Sequence, residues 1–128
     1  MKRGGIIKAR LAGELARLGH TDLVVVCDAG LPIPDGPAVV DLAFCLGVPS
    51  LGTILSGLLD EIVVEGATAA EEIRENPDVE RVLKDLLPDP GLVSHQELKR
   101  MTAGAKLVVR TGEATPYANV ILRCGVAF

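Results

Sequence analysis

Aromatic side chains are nearly missing from this chain: two phenylalanines, one tyrosine and no tryptophan in 128 residues. The core must therefore be aliphatic, and a ligand that needs an aromatic stacking platform finds few positions for one. Positive charge is also scarce. Thirteen Lys and Arg stand against 17 Asp and Glu, for a net charge of −4, and the bases are scattered. Nucleic-acid binding rests on a cationic surface that neutralises phosphates, so a nucleic-acid partner is not expected. The three cysteines, Cys27, Cys45 and Cys124, are odd in number and widely spaced, with no CxxC pair. That excludes a zinc-type cluster and a disulfide framework, and predicts small buried hydrophobes in a reducing cytosol.

Several motifs are missing too. The sequence holds no GxGxxG, no GxxxxGK[ST], no HExxH and no GxSxG. A nucleotide-phosphate loop, a zinc protease helix and a nucleophile elbow are not indicated. The chemistry expected is cofactor-free and metal-free, carried by acid, base and hydrogen bonds. Leu42 to Leu59 carries no charge and reaches the length of a membrane span. Gly47-Val48-Pro49-Ser50 breaks it, so a turn followed by a helix is expected, and no membrane association. Lys8, Arg10 and Glu14 interrupt any apolar run near the start, which argues against a signal peptide.

What remains is rich in apolar residues, 48% of the chain against 23% charged, enough for a real core in a single domain over residues 1–128. Apolar residues at 7, 11, 15 and 18 predict a helix, stopped by Gly19. Leu23 to Cys27 reads as a strand covered on both faces. Ala29 to Pro37, with three prolines and two glycines, reads as a rigid exposed loop. Val39 to Leu46 is open between strand and helix. Leu51, Ile54, Leu55, Leu58 and Leu59 form a helical stripe capped by Ser50. Ile62 to Val64 suggests a short strand, and Thr68-Ala-Ala-Glu71 a capping box that opens a helix. Pro77 starts another helix and Ser94-His-Gln-Glu97 a further one. Lys106 to Arg110 and Ala118 to Phe128 read as strands joined by a short turn, hence an antiparallel pair. The fold class expected is α/β, a layered α/β/α arrangement around a mixed, mostly parallel β-sheet.

Two ionisable residues flank the first strand. His20 precedes it, and an imidazole titrating near pH of about 6.5 suits proton transfer in both directions. Asp22, two residues on, faces the same way in an extended segment and could orient it. The alternative is an ordinary surface histidine. Asp28 follows the strand, where open α/β sheets bind ligands. It either accepts from ligand hydroxyls or caps its own loop. A strand rises about 3.3 Å per residue, which puts His20 and Asp28 roughly 20 Å or more apart. If both serve one site, they come from different copies of the chain. His95, at a helix start where an uncharged imidazole is favoured, suits a sugar hydroxyl or is a plain helix-start residue. "RTGEATPYANVIL" brings Glu113, the single tyrosine Tyr117 and Asn119. Tyr117 and Asn119, two apart, would face one space and suit a polyhydroxylated ligand, or else belong to ordinary hairpin chemistry.

The stretches "LGHTDLVVVCDAGLPIP", "GVPS", "AEEI" and "TPYANVILRCGVAF" closely resemble the ribose and fucose mutarotase family, over almost the whole length from Met1 to Phe128. "DAGLPIP" in this form favours the ribose branch. The resemblance implies an isomerase that interconverts the β-pyranose and β-furanose forms of D-ribose, with His20 as proton donor. It implies sugar binding by Asp28, His95 and the Tyr117-Ala118-Asn119 segment. It further implies a cytoplasmic homo-oligomer, a decamer of two pentameric rings with sites between subunits. Runner-up readings are a mutarotase for another sugar such as L-fucose, and a non-catalytic sugar-binding accessory protein. The family usually has a longer segment before the second histidine, often with a short strand; here "LLPDPGLVSHQEL" is compact.

Overall fold

The computed structural model describes residues Met1–Phe128. Its centre is a six-stranded sheet. The strands are β1 (Leu23–Cys27), β2 (Ala38–Asp41), β3 (Val64–Ala70), β4 (Gly91–Val93), β5 (Leu107–Arg110) and β6 (Val120–Cys124), in the spatial order β2-β5-β1-β6-β3-β4. β1 pairs with β5 in parallel and with β6 antiparallel. β2 runs parallel to β5, β4 parallel to β3, and β3 antiparallel to β6. The sheet is mixed and mostly parallel.

β1 lies between β5 and β6, its β-branched valines filling both faces. Val24 and Val26 pack with Leu11 and Leu15 of α1 (Ala9–Leu15), Leu51, Leu55 and Leu58 of α2 (Leu51–Leu59), and Val79 and Leu83 of α3 (Pro77–Leu86). Val25 and Cys27 point the other way, against Leu31, Ala105 and Leu98 of α4 (His95–Thr102). Three helices thus cover one face and one covers the other, a layered α/β/α arrangement.

Two expected caps form. Ser50 Oγ accepts the Thr53 N–H at 3.2 Å and Ser94 Oγ accepts the Glu97 N–H at 3.1 Å. The second is only half a capping box, because the Glu97 carboxylate pairs with Arg100 and leaves the first amides of α4 to another acceptor.

Other expectations fail for identifiable reasons. Thr68-Ala-Ala-Glu71 opens no α-helix: Thr68 to Ala70 finish β3, held by ladders to β4 and β6, and only a 3₁₀ turn over Glu71–Glu75 follows. Sheet pairing on both sides outweighs a local cap signal. β5 and β6 are not partners, because the connection between them crosses the end of β1, where Thr111 N–H donates to Cys27 O and Ala29 N–H to Glu113 O, each at 2.9 Å. The last strand ends at Cys124, short of Phe128, and the first helix is trimmed to Ala9–Leu15 with Ile7 exposed. The ambiguous segment resolves as β2, and the compact segment before His95 does hold a strand, β4. Cys27 and Cys124 are buried as expected, but Cys45 is exposed, in a loop whose Phe44 and Leu46 are exposed too. No helix is long and apolar enough to cross a membrane.

Candidate functional site

The two ends of β1 carry two separate clusters. At its carboxyl end lies a cavity of about 620 Å³, lined among others by Asp28, His95, Lys99, Glu113 and Tyr117. At its amino end, His20 borders a different cavity of about 450 Å³ with Leu18, Val63, Val126 and Phe128. Neither of these two cavities contains both His20 and Asp28.

Asp28 is held from three directions. Its Oδ1 accepts the Gly30 N–H at 2.9 Å, its Oδ2 accepts Asn119 Nδ2–H at 3.0 Å, and its own N–H donates to Asn119 Oδ1 at 2.9 Å. Asp28 therefore caps its loop and faces the cavity at once; the two readings of its role are compatible. Asn119 is fully buried and does not line the cavity. The expectation that Tyr117 and Asn119 face one space is overturned, because both precede the strand and lack its alternation. Tyr117 adopts the left-handed backbone (φ 64°), which turns its ring into the cavity while Ala118 and Asn119 go into the core. A non-glycine residue in that region is strained and is held by its surroundings.

His95 stands at the first turn of α4. Its N–H donates to both Glu72 oxygens, at 3.1 and 2.9 Å, so Glu72 supplies the acceptor that Glu97 does not. The Glu72 carboxyl lies below its ordinary pKa, because its own amide and that of His95 donate to it. The imidazole meets Tyr117 edge to face, with centroids 5.1 Å apart and planes at 81°. Its Nδ1 is buried and has no hydrogen-bond partner within the chain. A hydroxyl group entering the cavity would give this buried atom a partner. Glu113 ties the wall together: Oε2 accepts the Leu51 N–H of α2 at 3.1 Å, and Oε1 accepts the Thr115 hydroxyl at 2.8 Å. Carboxylate, imidazole, phenol and ammonium around one opening suit a ligand made of hydroxyl groups.

At the other end, Asp22 does not orient His20. Its Oδ2 accepts the Gly19 N–H at 2.7 Å and Lys106 Nζ at 2.9 Å. The Gly19 amide, then the Lys106 ammonium, holds the Asp22 carboxyl below its ordinary range. The neighbour of His20 is Glu65, whose Oε2 lies 3.0 Å from Nε2. Within one chain Glu113 does not meet His20 either, since it lines the other cavity. No group of three or more His, Cys, Asp or Glu side chains is gathered closely enough to hold a metal ion.

Sequence reasoning missed Glu65, Glu72 and Lys99. Lys99 was within reach, since it stands four residues after His95 on one helix face. Glu65 and Glu72 carried no local signal, because their partners lie 45 and 23 residues away in the chain.

The RbsD / FucU transport protein family matches residues 1–127. The chain belongs to this family. Among RbsD / FucU relatives it is 66% identical over 129 residues to D-ribose pyranase 1 of Rubrobacter xylanophilus and 61% identical to D-ribose pyranase of Streptomyces coelicolor, in both cases over 100% of each chain. The structure of Bacillus subtilis RbsD complexed with D-ribose superposes with a TM-score of 0.93 at 45% identity, covering 100% of both chains. FucU from Bifidobacterium longum is more distant, at a TM-score of 0.80 and 25% identity over 95% of this chain and 97% of that one.

Proposed function

We infer that the chain acts as a D-ribose pyranase, an isomerase that interconverts the β-pyranose and β-furanose forms of D-ribose without a cofactor. The observation that carries this is the full-length likeness to the D-ribose pyranases, 66% identical in the Rubrobacter relative. The likeness to RbsD complexed with D-ribose, much nearer than that to FucU, favours ribose over fucose.

Ring opening needs two proton movements. The anomeric hydroxyl loses a proton while the ring oxygen gains one, and the C1–O ring bond breaks. The open aldehyde then recloses. Attack by the C5 hydroxyl gives the six-membered ring and attack by the C4 hydroxyl the five-membered ring, with the proton returned to the new anomeric oxygen. His20 donates and accepts these protons, since an imidazole serves both directions near neutrality. Asp28, His95 and Tyr117 bind the sugar hydroxyls in the cavity at the carboxyl end of β1. The Tyr117-Ala118-Asn119 segment shapes that cavity, and Asn119 works through Asp28. Acid/base assistance contributes about 10²–10⁴-fold, and holding the open chain folded back adds to it.

The site is completed between copies of the chain, with His20 of one beside the Asp28 cavity of the next, in a decamer of two pentameric rings. Support comes from the separation of the two cavities and from apolar side chains left exposed beside each: Leu46 at the Asp28 cavity, Val126 and Phe128 at the His20 cavity. Exposed apolar groups of this kind mark contact surfaces. Three free cysteines agree with a reducing, cytoplasmic setting.

Saturation-exchange NMR on D-ribose tests the reading, with L-fucose as control sugar. Exchange between pyranose and furanose signals is expected with the parent chain and is lost with His20→Ala, while ribose binding persists. Full exchange with His20→Ala would remove His20 from the mechanism, and no ribose exchange with the parent would remove the activity.

A further inference from the structure

We propose that Glu65 is a positioning residue for His20: it accepts the Nε2 proton, fixes the imidazole in that tautomer, and leaves the Nδ1 lone pair to meet the sugar. This rests on the assignment of His20 as the proton-transfer group made above.

The geometry is built by three separate segments. The first is the turn Gly19 to Asp22, which carries His20. It is clamped by Gly19 N–H to Asp22 Oδ2 at 2.7 Å and by Thr21 N–H to Cys124 O at 2.9 Å. Thr21 is left-handed (φ 69°), unusual for a β-branched residue, so the turn that aims the imidazole is held against its own backbone preference. The second is β3. Its pairing with β6 shifts register between Val64 and Gly66, so Glu65 is the extra residue of a β-bulge. A bulge of this kind re-aims a side chain at the end of a sheet. Here it aims the Glu65 carboxylate at His20, with Oε2 3.0 Å from Nε2. The third is β6, where Arg123 Nε lies 3.2 Å from the other Glu65 oxygen, Oε1. With one oxygen on each partner, the plane of the carboxylate is set, and so is the direction in which it meets the imidazole. Gly125 leaves room for this arrangement, since a Cβ there would press on Glu65 Cβ at 3.3 Å and Val63 Cγ1 at 3.1 Å.

Stability does not explain the arrangement. The side chains of His20 and Glu65 are 52% and 33% exposed, and pairs at such exposure add little to folding. A bulge and a left-handed threonine are costly devices for a weak surface pair. They make sense where the direction of an imidazole matters. A carboxylate on one ring nitrogen selects the tautomer in which the other nitrogen is the free base, and it steadies the imidazolium once the proton has been taken. Arg123, which already balances the carboxylate, keeps the cluster from carrying an unpaired negative charge beside the sugar.

The test uses Glu65→Gln, which keeps the shape and removes the charge, and Glu65→Asp, which keeps the charge and shortens the reach. Two readouts are taken on the full chain: ribose exchange rate against ribose concentration, and the ¹⁵N shifts of the His20 ring, which report the tautomer without reference to activity. Glu65→Gln is expected to lower the exchange rate at saturating ribose about 10-fold or more, with half-saturation within about twofold of the parent, and to move the ring from the Nε2–H form towards Nδ1–H. Glu65→Asp is expected to recover part of the rate. A parent-like rate and an unchanged tautomer in Glu65→Gln would overturn the proposal. Because His20→Ala is measured alongside, an active His20→Ala would instead indict the role of His20 itself, whereas an inactive His20→Ala with a parent-like Glu65→Gln would indict Glu65 alone.

Discussion

Asn119 grips Asp28 twice, its carbonyl accepting the Asp28 amide at 2.9 Å and its amide donating to the Asp28 carboxylate at 3.0 Å. The buried carboxamide thereby fixes both the backbone and the side chain of a residue that lines the cavity. Asn119→Ala leaves the half-buried amide of Asp28 without its partner, at a cost of about 1 kcal/mol or more. Thermal unfolding should show that loss, and calorimetry should show ribose affinity falling about 10-fold, the equivalent of ~1.4 kcal/mol. Unchanged affinity would mean that Asp28 needs no support.

Mixing two dead variants should revive the enzyme. His20→Ala and Asp28→Asn each remove one half of the proposed site, on opposite ends of β1. In a randomly reassembled mixture, roughly a quarter of the contacts between copies pair an intact His20 with an intact Asp28. Ribose exchange should return to about that fraction of the parent rate by the same counting. A mixture as inactive as its components would place both residues in one chain's site.

Gly112 admits no side chain. A Cβ there would overlap Val48 O and Cys45 O, both backbone atoms, while the Gly112 N–H already donates to Pro49 O at 2.8 Å. Gly112→Ala forces the 45–49 loop away from the strand that ends at Arg110. The cost is about 1–3 kcal/mol or more, read as a lower melting temperature, and ribose binding weakens because Leu46 and Glu113 border the same cavity.

Acid should weaken the turn that carries His20. The folded-state pKa of Asp22 lies below its ordinary value of 3.8, through the Gly19 amide and Lys106. A depressed carboxyl contributes stability that is fully present above the unfolded value and is lost as pH falls through the folded one. Asp22→Asn should therefore be less stable than the parent near neutrality, and the two should converge as pH drops below about 4. Urea unfolding at several pH values measures this; a constant difference across the range would rule the carboxylate out as its source.

Much of this was legible beforehand, and most of the failures share a cause. β1 announced itself as an uninterrupted valine run, α2 and α4 by Ser50 and Ser94 at their starts, α3 by Pro77. Asp28, His95 and Tyr117 were singled out and do line one cavity, and His20 was placed apart from Asp28 by strand length alone. What escaped depends on which strands lie side by side. The 68–71 cap signal lost to β3 pairing on two sides, the last two strands flank β1 and never touch, and the bulge at Glu65 exists only relative to β6. Asn119 was misread for a separate, local reason: its direction is set by the left-handed Tyr117 before it, not by strand alternation.

β1 is bonded along both edges and packed on both faces, so it behaves as a rigid spacer between the two chemical groups at its tips. In the proposed assembly each subunit would contribute to two sugar pockets, one at either end of the same rod. On that arrangement a trimmed chain would yield no miniature catalyst, and a shift of that strand along its neighbours would detune two pockets together.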